Sequence, residues 1–297
     1  MAAKIIDGKA ISEVIRSELK EKVARLSAIG KTPGLGVILV GDNPASRSYV
    51  TAKERACERI GIYSDDNRLP AETSEAELLN KIHQMNQDPQ IHGILVQLPL
   101  PKHIDESTIL LAIDPAKDVD GFHPVNVGKM MIGEETFFPC TPHGVVQMLM
   151  RSGVETSGKH VVVVGRSNIV GKPVANMLLQ KKEGANATVT LCHTGTTDLG
   201  SFTRQADILI AASGWPNTVT TEMVKPGAVV IDVGVNRVED VTKKNGYRLV
   251  GDVDFDGVSK IASYITPVPG GVGPMTITML LYNTVLSAEM DIRKGDG

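Results

Sequence analysis

The sequence has few aromatic residues, few cysteines and no long apolar run, and each shortage excludes a class of protein. Only 4% of its 297 residues are aromatic, which argues against a base-stacking surface for nucleic acid. The odd number of cysteines, Cys57, Cys140 and Cys192, cannot all pair within the chain. We therefore expect no disulfide framework and a reducing, cytoplasmic setting. No stretch approaches the ~18–20 apolar residues of a membrane span, and the first ten residues lack the pattern of a signal or transit peptide.

Neither sign of charge dominates. Lys and Arg number 31 and Asp and Glu number 34, which leaves a formal charge of −3. A mildly acidic chain is a poor partner for nucleic acid, although a local basic pocket for an anionic ligand is compatible with it. The hydrophobic share of 42% is enough for a sizeable core.

Helical and strand patterns alternate along the chain, whereas residues 114–144 read as irregular. Such an order predicts an α/β fold with two open, mostly parallel sheets and helices on both faces. We predict a first domain over 1–142, a second over 143–274, and a final helix, within 275–297, that packs back on the first. Helices are predicted at 8–29, 46–60, 74–86, 143–152, 170–182, 197–206, 254–262 and 275–290, and strands at 35–40, 93–98, 160–165, 187–192, 207–212, 227–232 and 248–251.

The clearest motif is VVVVGRSNIVGKP at 161–173. A buried strand followed by a glycine turn and a helix is where a dinucleotide pyrophosphate binds, on backbone N–H groups and the helix dipole. The spacing is Gly165-x-Ser167-x-x-x-Gly171 rather than GxGxxG, so an ordinary strand–helix turn is the alternative. The motif indicates a Rossmann-type domain.

The end of the following strand separates the two nicotinamide cofactors. NAD sites place an acid there for the ribose 2′-OH, but this chain has TLCHTGTT at 190–197, which offers Thr194, Thr196 and Thr197. Arg166, in the preceding turn, is placed to meet a 2′-phosphate. The pattern favours NADP.

In the first domain, Tyr49 and Lys53 are spaced i, i+4 on one predicted helix face. A Tyr–Lys pair suits proton transfer, but spacing alone favours an ordinary surface pair. Short-chain dehydrogenases also carry Tyr-x-x-x-Lys, but theirs follows the dinucleotide turn. Gln97 ends a predicted strand, where α/β sheets bind ligands, and a structural role is equally compatible with it. Asp118 and Asp120 lie in KDVDGFHP, where helix capping is the leading interpretation, and binding of a metal or of a cationic or amidine-like ligand is the alternative.

The segment ITPVPGGVGPMT at 265–276 is too rich in Pro and Gly for a plain connector. It indicates close backbone approach to a ligand or a rigid turn. The histidines lack metal-site spacing and no G-x-S-x-G elbow is present, so we predict neither a metal site nor a serine hydrolase.

Taken together, these segments resemble the bifunctional methylenetetrahydrofolate dehydrogenase/methenyltetrahydrofolate cyclohydrolase family, bacterial type. The resemblance covers nearly the whole chain, and long motifs in this order are specific. It is carried by NPAS-x-x-YV-x-x-K (43–53), GILVQLPLP (93–101), KDVDGFHP-x-NVG (117–128), PCTP (139–142), VVGRSNIVGKP (163–173), VIDVGVNR (230–237), VGDVDF (250–255) and ITPVPGGVGPMT (265–276).

The resemblance implies that NADP takes a hydride from 5,10-methylenetetrahydrofolate and that water then opens the methenyl product to 10-formyltetrahydrofolate. It makes 1–142 the folate-binding catalytic domain and 143–274 the NADP-binding domain, and implies a homodimer formed through the latter. The implied catalytic residues are Lys53 for proton transfer, Gln97 to tune it, Asp120 for the pterin edge and Tyr49 against the folate. The remaining implied residues are Val96, Leu98, Pro267, Val268, Pro269, Gly270 and Gly271 for substrate, and Gly165, Arg166, Ser167, Thr194 and Val235 for cofactor.

Three alternatives stay open at this point. One is a monofunctional dehydrogenase, another is a non-catalytic folate- or nucleotide-binding module, and the third is a different two-domain NADP oxidoreductase of shikimate-dehydrogenase type. Two features depart from the family pattern. Thr194 replaces the usual Ser, which keeps the hydroxyl, and KKEGANA at 181–187 is slightly longer than usual.

Overall fold

The computed structural model describes residues 2–243 and 246–295, and within them the chain alternates helices and strands. The helices are α1 (Gly8–Ala28), α2 (Pro44–Ile60), α3 (Glu75–Gln87), α4 (Glu106–Ala112), α5 (Pro124–Ile132), α6 (Cys140–Arg151), α7 (Gly171–Leu179), α8 (Leu199–Thr203), α9 (Phe255–Val258) and α10 (Val272–Gly295). The strands are β1 (Lys4–Ile5), β2 (Gly34–Val40), β3 (Tyr63–Leu69), β4 (Gly93–Val96), β5 (His160–Val164), β6 (Thr188–Cys192), β7 (Ile208–Ala211), β8 (Val229–Asp232), β9 (Asn236–Glu239), β10 (Tyr247–Val250) and β11 (Tyr264–Ile265).

The contacts divide the chain into two compact units. The first unit comprises Glu13–Cys140 and Ile277–Gly297, and the second comprises Met1–Ser12 and Thr141–Thr276. The main break, after Cys140, lies two residues before the predicted boundary at 142/143. Residues 1–12 fall in the second unit, although they were predicted to belong to the first domain.

The first unit contains a three-stranded parallel sheet in the order β3-β2-β4. Every residue of β2 is buried, as expected for a central strand with apolar side chains on both faces. The edge strand β3, with the sequence YSDDNRL, is mostly half-exposed and was not predicted. Its polar side chains are compatible with an edge position, but they lack the apolar pattern from which strands are predicted.

Residues 114–144 are more regular than the sequence predicted, since they contain α5 and the start of α6. The N-cap of α5 is His123, whose Nδ1 accepts from Val125 N at 3.2 Å, with Pro124 as the first helical residue. The predicted irregular segment was wrong. The start of α5 was not recognised because histidine is a less common N-cap residue than Ser or Asp.

The terminal helix α10 is bonded to loops of the first unit. Asn283 Nδ2 donates to the carbonyl oxygens of Val119 (2.8 Å) and Phe138 (2.9 Å). One turn later, Ser287 Oγ lies 2.6 Å from the carbonyl oxygen of His92. Both side chains are buried, so the helix holds these loops through polar contacts as well as apolar packing.

The second unit contains a six-stranded parallel sheet in the order β1-β11-β8-β7-β5-β6. Read from β6, the chain order of the first five strands is 2-1-3-4-5, a doubly wound arrangement whose order reverses between β5 and β7. Ligands bind at the carboxyl ends of strands beside such a reversal. Strand β10, predicted near 248–251, pairs antiparallel with β9 in a separate hairpin. This topology confirms the predicted α/β fold class.

No helix within residues 2–243 and 246–295 is long and apolar enough to cross a membrane.

Candidate active site

A lysine–glutamine pair lies at the carboxyl end of β4 in the first unit. Lys53, on α2, donates from Nζ to Gln97 Oε1 at 3.0 Å. The Gln97 backbone N–H donates to Ile38 O at 2.9 Å, which continues the strand ladder and fixes where the side chain starts. Its Nε2 donates to the Leu98 carbonyl at 2.8 Å. The amide therefore presents its oxygen to the ammonium, and Lys53 keeps two further N–H bonds for other acceptors.

The same face of α2 changes from exposed to buried along its length. Tyr49, one turn before Lys53, has 53% of its surface exposed, whereas Lys53 is half-buried. Cys57, one turn after it, is fully buried, and burial raises the pKa of its thiol to about 12. Tyr49 and Lys53 are accessible to a ligand, and Cys57 is an inert apolar contact beneath them.

The two acids of KDVDGFHP have different surroundings. Asp118 is buried, and its carboxylate accepts from the backbone N–H of His123 at 2.8 Å and from Asn126 Nδ2 at 2.9 Å. It therefore builds the turn into α5. The charge of Lys53 acts on Asp120, but burial dominates and raises the pKa of the Asp120 carboxyl, with Asp118 adding to the rise. Asp120 thus differs from Asp118 in that the Lys53 charge opposes the rise of its pKa.

The neighbours of Gln97 differ in what they offer. Val96 is 3% exposed and packs in the core of the first unit, so its side chain is not available to a ligand. Leu98 is half-buried. Gln97 therefore lies between a buried residue and a half-buried one.

The Pro/Gly loop, with Pro267, Val268, Pro269, Gly270 and Gly271, belongs to the second unit. Gly270 has a φ of +105°, a conformation that L side chains rarely adopt, and its carbonyl accepts from Lys9 N at 3.1 Å. A Cβ on Gly271 would lie 3.0 Å from Thr266 Cβ and closer still to the Pro267 carbonyl. These glycines are required by backbone packing, whatever ligand the loop contacts.

The glycine turn after β5 is built for close backbone approach. Gly165 has a φ of +124°, and a Cβ there would collide with the Ala212 carbonyl. A Cβ on Gly171 would lie 3.0 Å from Arg166 N and would collide with the Gly165 carbonyl. Ser167 Oγ accepts from Val170 N at 3.1 Å and from Gly171 N at 3.3 Å, which caps α7. The turn leaves the exposed Arg166 side chain free of these internal bonds.

The other two predicted cofactor residues follow two further strands of the same sheet, β6 and β8, which β5 and β7 separate. Thr194 is exposed in the turn after β6, where His193 Nδ1 accepts from Gly195 N at 3.0 Å. Val235 follows β8 and is 49% exposed. The first acid after β6 is Asp198, and it accepts from Ser201 N at 3.2 Å as the cap of α8. The turn directly after β6 therefore has hydroxyls and no carboxylate.

Two buried aspartates were quoted within motifs but given no role by the sequence analysis. Asp232 ends β8 and is 3% exposed, and Asp252 follows β10 and is 0% exposed. Asp232 accepts from the backbone N–H groups of Gly234 (3.0 Å), Asp252 (2.9 Å) and Val253 (3.0 Å). Burial raises the pKa of Asp232 to about 6 despite these donors, and the Asp252 carboxylate adds to the rise. In the sequence, each of them is an acidic residue at or just after the end of a largely apolar segment, VVID at 229–232 and LVGD at 249–252.

Replacing Asp232 by Asn is expected to change how stability depends on pH. An ordinary aspartate titrates near 3.8, so between pH 4 and 6 the folded chain holds a proton that the unfolded chain has lost. The free energy of unfolding of the wild type then falls as pH rises through this window. The fall is about 3 kcal/mol, because a difference of one pKa unit between the folded and unfolded states corresponds to about 1.4 kcal/mol. Urea denaturation of both proteins from pH 4 to 7 measures it. A difference between the two proteins that is constant with pH contradicts a raised Asp232 pKa.

Within the described ranges, no cluster of three or more His, Cys, Asp or Glu side chains is arranged to hold a metal ion. All three cysteines are free and buried.

A Rossmann-type unit with a glycine turn, joined to an α/β unit with a lysine–glutamine pair, defines a two-unit α/β enzyme of the dinucleotide-binding class. The chain matches the family models "Tetrahydrofolate dehydrogenase/cyclohydrolase, catalytic domain" over residues 6–120 and "Tetrahydrofolate dehydrogenase/cyclohydrolase, NAD(P)-binding domain" over residues 139–292. The chain belongs to the tetrahydrofolate dehydrogenase/cyclohydrolase family, which confirms the predicted resemblance.

Known relatives agree over almost the full length. The Bifunctional protein FolD of Syntrophus aciditrophicus is 62% identical over 290 residues, which span 98% of this chain and 99% of that protein. The crystal structure of the bifunctional FolD methylenetetrahydrofolate dehydrogenase/cyclohydrolase of Campylobacter jejuni is 52% identical, with a TM-score of 0.92 over 98% of this chain and 100% of that one. The Trypanosoma brucei enzyme, crystallised with NADP cofactor and inhibitor, is 43% identical with a TM-score of 0.93, covering 99% of each chain.

Proposed function

We propose that this chain is a bifunctional enzyme of tetrahydrofolate one-carbon interconversion. It oxidises 5,10-methylenetetrahydrofolate to 5,10-methenyltetrahydrofolate with NADP, and it hydrolyses the methenyl compound to 10-formyltetrahydrofolate. Membership of the family supports both reactions. The observation that carries the hydrolytic activity is the hydrogen bond between Lys53 and Gln97, with the Asp120 carboxyl under the influence of the same ammonium.

Lys53 is the proton-transfer group of the hydrolysis. Water adds to the methenyl carbon, the bond from that carbon to N5 breaks, and one proton is released. The Lys53 ammonium donates a proton to the departing N5, and the amine that remains takes one proton from the added hydroxyl. The second proton of the water goes to solvent. Gln97 Oε1 holds one N–H of Lys53, which orients the ammonium while leaving its other N–H bonds for the reacting atoms.

Asp120 and Tyr49 bind and orient the folate. The pterin 2-amino group and N3 present two neighbouring N–H donors, and a carboxylate offers two acceptor oxygens in matching geometry. Tyr49 is exposed on the same helix face as Lys53, where its ring supplies an apolar surface for the flat pterin. Both residues belong to the first unit. Tyr49 lies on the same helix as Lys53, and the Asp120 carboxyl is affected by the Lys53 charge.

The second unit supplies the NADP site. Its fit rests on the tight glycine turn between β5 and α7, where the chain's own backbone fills the space that a Cβ on Gly165 or Gly171 would need. Such a turn brings a pyrophosphate to backbone N–H groups at the start of a helix. When bound, NADP supplies the hydride acceptor of the oxidation. Arg166 and Thr194 hold the 2′-phosphate with a guanidinium and a hydroxyl, and Ser167 lies at the N-terminal end of α7, where an anion is favoured. The resemblance places Val235 in the cofactor site and Pro267–Gly271 in a loop that lines folate and nicotinamide.

The function is tested by assaying the purified protein on 5,10-methylenetetrahydrofolate with NADP⁺ and NAD⁺ in parallel. We expect reduction with NADP⁺ and much less with NAD⁺, together with hydrolysis of 5,10-methenyltetrahydrofolate. Arg166→Ser is expected to lower the NADP⁺/NAD⁺ ratio of kcat/KM about 10- to 100-fold, because a charge-assisted hydrogen bond is worth ~1.5–3 kcal/mol.

Lys172→Ser, in the first turn of α7, is the matched control and should leave that ratio unchanged, because Lys172 Nζ is held by Asn168 Oδ1 at 2.8 Å. An Arg166→Ser ratio equal to that of the wild type contradicts the 2′-phosphate assignment. Absence of both activities in the wild type contradicts the proposed function.

We also propose that the enzyme is a cytoplasmic homodimer. The three free cysteines suit a reducing compartment. Among the described strands, β6 pairs on one side only, with β5, so the second unit has an edge at which a second copy is able to pack. Sedimentation of the purified chain measures the mass that decides the oligomeric state.

A further inference from the structure

Asp252 gathers the loops that follow two neighbouring strands of the second unit. Its Oδ2 accepts from Ser213 N at 2.6 Å and from Gly214 N at 2.8 Å, both in the loop after β7. The Ser213 hydroxyl donates to the same oxygen at 2.9 Å. Asn236, at the start of β9, donates from Nδ2 to Oδ1 at 2.9 Å. One carboxylate with no exposed surface therefore ties the β7 loop to the β8 loop.

Asp232 completes the arrangement from the other side. It holds Gly234 N at 3.0 Å and Asp252 N at 2.9 Å. Val235, the exposed residue assigned to the cofactor, thus lies between Gly234, which is bonded to Asp232, and Asn236, which is bonded to Asp252. Neither glycine at this junction has room for a Cβ, because Gly234 lies against the Asp252 carboxylate and Gly251 against the Asp232 carboxylate.

We infer that Asp252, supported by Asp232, is a positioning residue for NADP: it sets the backbone at Ser213–Gly214 and at Val235 in the geometry that cofactor binding requires. The inference rests on the proposed function. Neither aspartate is assigned to cofactor or substrate, and both act through the loops they hold.

The location supports this role over a purely structural one. The loop held by Asp252 lies directly against the glycine turn, since Ala212 and Ser213 occupy the space beside Gly165 that a Cβ would need. Gly165, the β7 loop and Val235 follow β5, β7 and β8, which are adjacent in the sheet and flank the point where strand order reverses. A small shift at Ser213 therefore reaches both the glycine turn after β5 and the loop that carries Val235.

A buried carboxylate is costly unless donors satisfy it, and here all four donors come from cofactor loops or their immediate neighbours. Asp252→Asn keeps the volume and replaces one acceptor oxygen by an NH₂ group. If the NH₂ faces Ser213 and Gly214, two backbone donors lose their acceptor, and if it faces Asn236, two NH₂ groups meet. Either orientation leaves a buried donor unpaired and loosens one loop.

The test compares Asp252→Asn with Asp254→Asn. Asp254 makes the same kind of contact two residues later, accepting from Thr221 Oγ1 at 2.9 Å and from Gly257 N at 3.3 Å as the cap of α9, away from the cofactor loops. We expect Asp252→Asn to raise KM for NADP⁺ at least tenfold, with kcat at saturating NADP⁺ within threefold of the wild type. Asp254→Asn should leave KM within twofold.

Hydrolysis of 5,10-methenyltetrahydrofolate, run without NADP, is the internal control because it depends on Lys53 in the first unit. It should stay within twofold in both variants. An unchanged KM in Asp252→Asn, or an equal loss of both activities, overturns the inference while the proposed function stands. A wild type without either activity overturns the proposed function first.

If Asp252→Asn does not fold, Asn236→Ala carries the test. It removes a single donor from Asp252 Oδ1 and leaves the three donors of the β7 loop in place. A three- to tenfold rise in KM for NADP⁺ with unchanged hydrolysis supports the inference, and an unchanged KM overturns it.

Discussion

Lys53→Met is expected to lower kcat for hydrolysis of 5,10-methenyltetrahydrofolate by about 10²- to 10⁴-fold, the usual contribution of a positioned acid–base group. Methionine keeps the length and apolar stem of lysine but carries no proton to exchange with the attacking water or with N5. Hydride transfer in the oxidation moves no proton at this position, so dehydrogenase activity should fall far less. NADP binding should persist, because its residues lie in the second unit.

The matched control is Lys31→Met, an identical change in the first unit. Lys31 forms an exposed ion pair with Asp291 at 3.2 Å, and such pairs contribute little, so both activities should be kept. Gln97→Ala should lie between the two, since it frees the Lys53 ammonium from the bond that orients it but leaves the ammonium present. A Lys53→Met enzyme with normal hydrolysis, or one that has lost NADP affinity, contradicts the assignment.

The fold was predictable wherever burial and strand pattern coincide. The apolar runs that became β2, β4 and β5 are buried on both faces, so their composition alone marks them. The edge strand β3 was missed because five consecutive polar residues, SDDNR, show neither an apolar run nor an apolar–polar alternation. The predicted helix 74–86 is α3, which starts one residue later after a capping box of Ser74 and Glu77, whereas the helix behind the histidine cap, α5, was not predicted.

The candidate site was only partly predictable from the sequence, because some of its residues come together only in the tertiary structure. Spacing alone could not decide between a surface pair and a functional pair for Tyr49 and Lys53. The structure brings Gln97 to Lys53 across 44 residues of sequence, which no local pattern contains. Asp232 and Asp252 could not be recognised either, because a buried acid is distinguished from an exposed one only by donors that tertiary structure supplies. The residues of the glycine turn were found from sequence because their function is local.

Asp120→Asn is expected to raise KM for both folate substrates about 10²-fold or more. A carboxylate accepts from both pterin donors, whereas an asparagine amide offers one acceptor and turns an NH₂ group toward the second donor. Sites built to satisfy polar groups reject such mismatches strongly, by up to ~10⁴-fold or more. Asp114→Asn is the control, since Asp114 is an exposed residue of the same segment that caps a turn by accepting from Ala116 N at 2.8 Å.

The pH dependence of folate binding follows from the same carboxyl. Burial raises the pKa of Asp120, and the opposing charge of Lys53 does not cancel the rise. Substrate binding needs the ionised form, so acidification protonates Asp120 and raises KM at a pH above the range of an ordinary aspartate. Asp120→Asn has no proton to gain at this position, and its KM should be high but flat over the same range. Measurement of KM from pH 5 to 8 in both proteins decides it: parallel profiles would assign the acid limb to another group, and a wild-type limb that Asp120→Asn lacks would identify Asp120 as the group whose charge holds the pterin.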